Sequence, residues 1–143
     1  MAELIALEVV TPERLLVREE VTAVQLPAKN GYLGILPGHA PLLAELGTGF
    51  MYFEAGGRRW YLAVHEGFLE VLADRVRVLA NAAERAEEID VARAQADMQR
   101  AQEQVLNPSL GIDPAFALAE MASAQARLDA AAQKQPAEGA RGS

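Results

Sequence analysis

The sequence predicts a β-plus-α chain: an N-terminal β-sandwich domain over residues 1–84, a C-terminal antiparallel two-helix hairpin domain over residues 85–135, and a disordered tail over residues 136–143. Three observations carry this. The stretch from Leu4 to about Ala80 is rich in Val, Leu and aromatic residues and is broken by turn residues at short intervals. Gly56-Gly57 and Ala73-Asp74 each sit between runs whose apolar positions match in hairpin register. After Asn81 the composition shifts abruptly to Ala, Glu, Gln and Arg with helical spacing.

Leu4 to Val10, Arg14 to Arg18 and Val21 to Leu26 read as the first three strands. The segment from Gly31 to Leu43 follows, in which Gly31, Gly34, Gly38, Pro37 and Pro41 interrupt an apolar run. Proline fixes its own φ and restrains the residue before it, so this loop has a defined shape. Leu33, Ile35, Leu36, Leu42 and Leu43 are expected to anchor it inward, leaving Tyr32 and His39 displayed.

A two-residue turn at Gly56-Gly57 sets Ala55 opposite Arg58, Glu54 opposite Arg59, Phe53 opposite Trp60 and Met51 opposite Leu62, so Met51, Phe53, Trp60 and Leu62 share an apolar face. The turn at Ala73-Asp74 sets Glu70 opposite Arg77 on one face, and Val71 opposite Val76 and Leu69 opposite Val78 on the other. These strands suffice for two packed sheets.

The first helical pattern ends at Asn107-Pro108, and the second runs from Asp113 to about Gln133. Asp113 and Pro114 suit an N-cap and a first helical position, and Glu87, Glu88 and Asp90 favour the positive end of the first helix. The apolar stripes are Ala94, Met98, Ala101 and Val105 on one helix and Ala117, Met121, Ala124, Leu128 and Ala131 on the other. At about 25 cal/mol per Å² of buried apolar surface, alanine-dominated stripes gain little from mutual contact. Such a pair is either docked permanently on the sandwich or able to move as an arm.

Composition excludes several function classes. No apolar run is long enough to span a membrane, and no signal or transit segment is seen at Met1-Ala-Glu-Leu, so a soluble cytosolic chain is expected. Cysteine is absent and histidine occurs only at His39 and His65, which argues against disulfides, thiolate chemistry and structural zinc. A net charge of −7, with no basic cluster beyond Arg58-Arg59, argues against nucleic acid or an anionic membrane surface and for a protein partner. Serine occurs only at Ser109, Ser123 and Ser143, leaving no natural Ser/His/Asp arrangement.

The motifs Gly34-Ile-Leu-Pro-Gly-His-Ala-Pro-Leu42, Gly67-Phe-Leu-Glu-Val71 and Ala83-Glu-Arg-Ala-Glu87, in this order and followed by an Ala-rich helical hairpin, resemble the epsilon subunit family of bacterial F-type ATP synthases, called delta in mitochondria. The resemblance covers residues 3 to 135 and implies a sandwich of about ten strands followed by two helices. It implies a non-catalytic central-stalk subunit on the cytoplasmic face of the bacterial plasma membrane, peripheral and not inserted. It further implies gamma and the c-subunit ring as partners, and the α/β hexamer when the helices extend. Asn30, Gly31, Tyr32 and His39 correspond to the loop that meets the c ring; family members commonly carry Glu where Tyr32 stands. For His39, a turn histidine bonded to local backbone is the competing reading. His65 is assigned no role.

Some bacterial members bind ATP on the folded helices through an Ile/Leu-Asp-x-x-Arg-Ala pattern, present here as Ile89-Asp90-Val-Ala-Arg93-Ala94. The implied ATP contacts are Glu84, Ile89, Asp90, Arg93, Arg100 and Arg127, the arginines facing phosphate oxygens. The family pattern carries a further arginine one turn before Arg127, where this chain has Ser123. The alternative is an Asp90–Arg93 pair that merely supports a helix start, worth tenths of a kcal/mol. No resident cofactor is expected beyond ATP as a regulatory ligand. A different class of function, a free-standing β-domain that binds a small molecule between loop and hairpin, is the alternative to the stalk subunit.

Overall fold

A computed structural model describes residues 3–133, so the expected tail at 136–143 lies outside the described residues. Seven strands precede two helices: β1 (Ile5–Val10), β2 (Leu15–Val21), β3 (Ala23–Ala28), β4 (Gly31–Ile35), β5 (Leu42–Ala55), β6 (Arg58–Leu72), β7 (Arg75–Arg85), α1 (Val91–Leu106) and α2 (Pro114–Gln133). The strands form one continuous ladder in the order β2-β1-β7-β6-β5-β3-β4. β1 runs parallel to β7, and every other pairing is antiparallel.

The ladder folds over into a sandwich, and the residue pattern shows how. On β5 the core side chains are Leu46 and then Met51 and Phe53; on β6 they are Leu62 and Val64 and then Leu69 and Val71. Strand side chains alternate, so this change from odd to even numbers, or from even to odd, marks a turnover of the inward face midway along each strand. Near that point Glu66 has φ 46° and Gly67 φ 147°. A Cβ on Gly67 would sit 2.0 Å from the Leu79 carbonyl oxygen, so only glycine fits this bend. β7 changes face likewise, from Val78 and Ala80 to Ala83. The about ten strands expected are therefore seven, because β5, β6 and β7 each serve both layers without a break.

Both expected hairpin registers are present, including Phe53 opposite Trp60, Glu54 opposite Arg59, Glu70 opposite Arg77 and Val71 opposite Val76. The helical composition after Asn81 misleads by ten residues. β7 continues to Arg85, because pairing of Val64 with Ala83, Ala63 with Glu84 and Leu62 with Arg85 outweighs the helix preference of alanine. A 3₁₀ turn at Ala86–Glu88 follows, and the helix starts at Val91.

Asp90 caps α1 by accepting from the Arg93 backbone N–H at 3.1 Å. Asp113 accepts from the Ala115 N–H at 2.9 Å, with Pro114 opening α2. Ala94 and Ala101 of α1 and Ala117 and Ala124 of α2 are buried, in the stripes expected. Ala126 and Ala130 form a second buried row on α2 that those stripes do not include, and it faces the sheet.

Candidate functional site

Two regions of this fold present chemistry: the outer surface of one layer with the adjoining loop, and the seat of α2 on the other.

β4 pairs with β3 and ends the ladder, with Asn30 in the turn before it and Gly31 and Tyr32 at its start. Tyr32 is half exposed, and its ring lies 5.7 Å from that of Phe50 at a tilt of 48°. Its hydroxyl passes over Gly49, where a Cβ would approach it to 2.8 Å. Burial raises the Tyr32 phenol pKa; the Phe50 backbone opposes this and the Asp129 charge adds to it. Tyr32 thus leans toward the helix seat.

His39 follows β4 in an exposed turn, its Nδ1 2.6 Å from the Ala40 carbonyl oxygen, so Nδ1 carries the proton and donates. The Gly38 N–H donates to Ala73 O at 2.8 Å and ties this turn to the β6–β7 turn.

The loop anchors are corrected in two places. Ile35 is buried and Leu33 and Leu42 pack partly against the core, but Leu36 and Leu43 are 63% and 75% exposed. Leu42 and Leu43 alternate across the strand, so only one can face inward. Leu43 joins Phe68, 56% exposed, and Leu79, 49% exposed, in an apolar patch spanning β5, β6 and β7. Charged residues border it. Glu8 accepts from Arg18 at 3.1 Å and from Arg77 at 3.2 Å, and Arg77 lies 4.0 Å from Glu70. The Arg18 and Arg77 guanidiniums hold the Glu8 carboxyl below the usual range, Arg18 first, against the opposing effect of burial.

On the opposite layer α2 sits on Phe50, Tyr52, Tyr61 and Ala63, with Ala86 and Ile89 beside them. The Tyr61 ring is 6.1 Å from Phe50 and 5.6 Å from Tyr52, so with Tyr32 four aromatic rings form a continuous row. To this cluster the helix contributes alanine methyl groups, those of Ala126 and Ala130 buried and that of Ala131 partly so.

Polar contacts make up the rest. Arg127 Nε donates to Glu84 on β7 at 2.8 Å, and its Nη1 donates to Asp97 on α1 at 3.3 Å. Asp97 also accepts from Arg100 at 2.6 Å. That bond, reinforced by the charges of Arg100, Arg127 and Arg93, holds the Asp97 carboxyl below the usual range.

The residues named for ATP therefore divide. Glu84 pairs directly with Arg127, and Arg100 joins them only through Asp97, a residue not among those named for the site. Its one signal was its spacing from Arg93 and Arg100 on the helix. Asp90 is committed to the cap and Ile89 is 7% exposed in the seat, while the Arg93 side chain is at the surface. Among the described residues there is no cluster of metal-ligating side chains, and no helix is long and apolar enough to cross a membrane.

Residues 4–86 match the family described as ATP synthase, Delta/Epsilon chain, beta-sandwich domain, and residues 87–132 match ATP synthase, Delta/Epsilon chain, long alpha-helix domain. The chain belongs to the ATP synthase delta/epsilon family. Among curated relatives of this delta/epsilon chain, the ATP synthase epsilon chain of Solibacter usitatus is 59% identical over 134 residues, covering 94% of this chain and all of the relative. That of Koribacter versatilis is 52% identical over 105 residues, 73% of this chain and 74% of the relative. A chain in the Euglena gracilis mitochondrial ATP synthase structure (OSCP/F1/c-ring) superposes with a TM-score of 0.80 over 93% of this chain and 83% of its own, at 22% identity, which shows a shared fold.

Proposed function

We propose that this delta/epsilon family chain is a non-catalytic central-stalk subunit of an ATP synthase, seated peripherally on the cytoplasmic face of the plasma membrane. Through gamma it couples rotation of the c ring to the catalytic α/β hexamer. Membership of the family across both domains carries the proposal. The exposed patch of Leu43, Phe68 and Leu79 supports it, because contiguous apolar surface rimmed by charge is how a docking face presents itself. In this reading gamma covers that patch, and Asn30, Gly31, Tyr32 and His39 lie toward the c ring. Recovery of gamma and the hexamer with a tagged copy from membrane extracts tests it; a monomer recovered alone overturns it.

The hairpin is proposed to leave the sheet and extend toward the hexamer, which the modest apolar seat supports. On the helix side this seat consists of alanine methyls, each worth about 0.8 kcal/mol when buried. ATP is proposed as a regulatory ligand of the folded hairpin through the arginine cluster. Its phosphates would compete with Asp97 for Arg100 and Arg127, which weakens binding. A flat calorimetric trace at millimolar ATP removes this ligand.

A further inference from the structure

His65 is not used by the stalk-subunit reading, yet it lies where the hairpin meets the sheet. Alternation along β6 puts it on the same face as Tyr61 and Ala63, beneath α2. Its Nδ1 is enclosed and has no hydrogen-bond partner among the described residues. We propose that His65 makes docking of the helical hairpin sensitive to acid: the neutral imidazole is accommodated under α2, and its protonation releases the hairpin from the sandwich.

A neutral imidazole can leave Nδ1 as a bare acceptor, whereas protonation places an N–H there with nothing to receive it, and adds a charge removed from water. Three charged groups face the ring: Arg127 from α2, Glu84 from β7, and Glu66, its neighbour on β6. Its cross-strand partners, Thr48 on β5 and Ala82 on β7, carry none. Arg127 opposes a second positive charge, while the two carboxylates favour one and only partly offset burial. Burial is the largest influence, and the pKa of His65 is lowered.

Release exposes the ring and restores its ordinary value of about 6.5. The released form then binds the proton more tightly than the docked one. The docked form is fully favoured above about pH 6.5 and loses ground as pH falls from there through the lower docked value. Asp97 stays ionised in that window, because Arg100 holds it below the usual carboxylate range. The ionic contacts of Arg127 with Asp97 therefore do not supply the response. The acid-sensitive element is the ring under the helix.

The proposal rests on the reading that the hairpin can leave the sheet, and the test separates the two. The chain contains no native cysteine. A donor and acceptor dye pair attached through Glu20→Cys on β2 and Ala122→Cys on α2 reports docking in the full chain, titrated from pH 8 to pH 5. The expected result is a released-to-docked ratio that rises by up to about tenfold per pH unit below pH 6.5, the limit for one proton. In His65→Gln that rise disappears, and in His39→Gln, the control for the other histidine, it persists.

Arg127→Ala supplies the second arm: without its contacts to Glu84 and Asp97 the released fraction of the hairpin rises at every pH. If Arg127→Ala opens it but acid does not, or if His65→Gln responds as the parent does, the His65 proposal fails alone. If neither acid nor Arg127→Ala separates the dyes, the movable-hairpin reading fails and takes this proposal with it. Far-ultraviolet circular dichroism at each pH checks that helix and sheet persist, so that separation reads release and not unfolding.

Discussion

Arg127 on α2 donates from Nε to Glu84 on β7 at 2.8 Å, so one guanidinium fastens the second helix to the last strand of the sandwich. The Arg127 side chain is only 16% exposed, which limits solvent screening of this contact. Arg127→Ala is expected to weaken docking of α2 by about 2 kcal/mol, the range of hydrogen bonds to charged groups. Amide hydrogen exchange checks this: α2 should exchange at least tenfold faster, while the β6 amides between Leu69 and Val71 stay protected. Arg127→Lys should recover only part of the loss, since a single ammonium cannot reach Glu84 and Asp97 with a planar fork.

Gly67 is the position where the bend of β6 tolerates no side chain. Gly67→Ala is expected to destabilise the sandwich by about 3 kcal/mol, from a positive φ and from collision with the Leu79 backbone. Thermal unfolding followed by circular dichroism should show a fall of several degrees. The open turn position Gly56, where a Cβ meets nothing within 4 Å, serves as the comparison and should lose less.

Glu8 connects three strands through Arg18 and Arg77, and its carboxyl pKa is lower in the folded chain. The stability this contributes is present above the unfolded value of about 4.5 and is lost as pH falls through the folded value. The difference in unfolding midpoint between the parent and Glu8→Gln should be constant near neutral pH and shrink in that acid range. A difference unchanged at pH 2 would remove ionisation as the cause.

Phe68→Asp combined with Leu43→Asp should leave the fold intact, because both side chains already face solvent. Co-purification of gamma and the hexamer should fall at least tenfold if the patch is a docking face. Equal recovery with an unchanged melting temperature would place the docking face elsewhere.

From Ile89 to Ala132 the hairpin carries three arginines (Arg93, Arg100, Arg127) against six acids (Asp90, Asp97, Glu103, Asp113, Glu120, Asp129). Two of those arginines are engaged by Asp97. The resemblance implies that such helices meet an acidic segment of β, and this excess of acids would oppose that docking. Deleting residues 89–143 should raise ATP hydrolysis of the reconstituted complex less than twofold; a large rise would show strong inhibition.

Much of the fold was legible because local rules decided it. Gly56-Gly57 set the pairing from Ala55 opposite Arg58 to Met51 opposite Leu62 through turn geometry, and Asp113-Pro114 marked the start of α2. What was missed depended on distant contacts. The Ala82-Ala83 stretch looks helical by composition, and only pairing with β6 makes it strand. Leu43 and Leu42 are indistinguishable until the strand's facing is known. Ala126 and Ala130 acquire a role only because the hairpin lies on Tyr61, and Asp97 and His65 acquire theirs only where α1, α2 and the sheet converge.

The alanine face of α2 has a kinetic meaning. Ala126 and Ala130, with Ala131 packed beside them, present single methyl groups to the aromatic row. Departure of the helix then requires no rotamer to unlock and no ring to swing aside. Once the guanidinium contacts of Arg127 part, the proposed release draws only alanine methyl groups away from the aromatic row. If the hairpin moves as proposed, the charges around Arg127 govern the speed of its release, and a substitution there alters how fast the arm moves as well as where it rests.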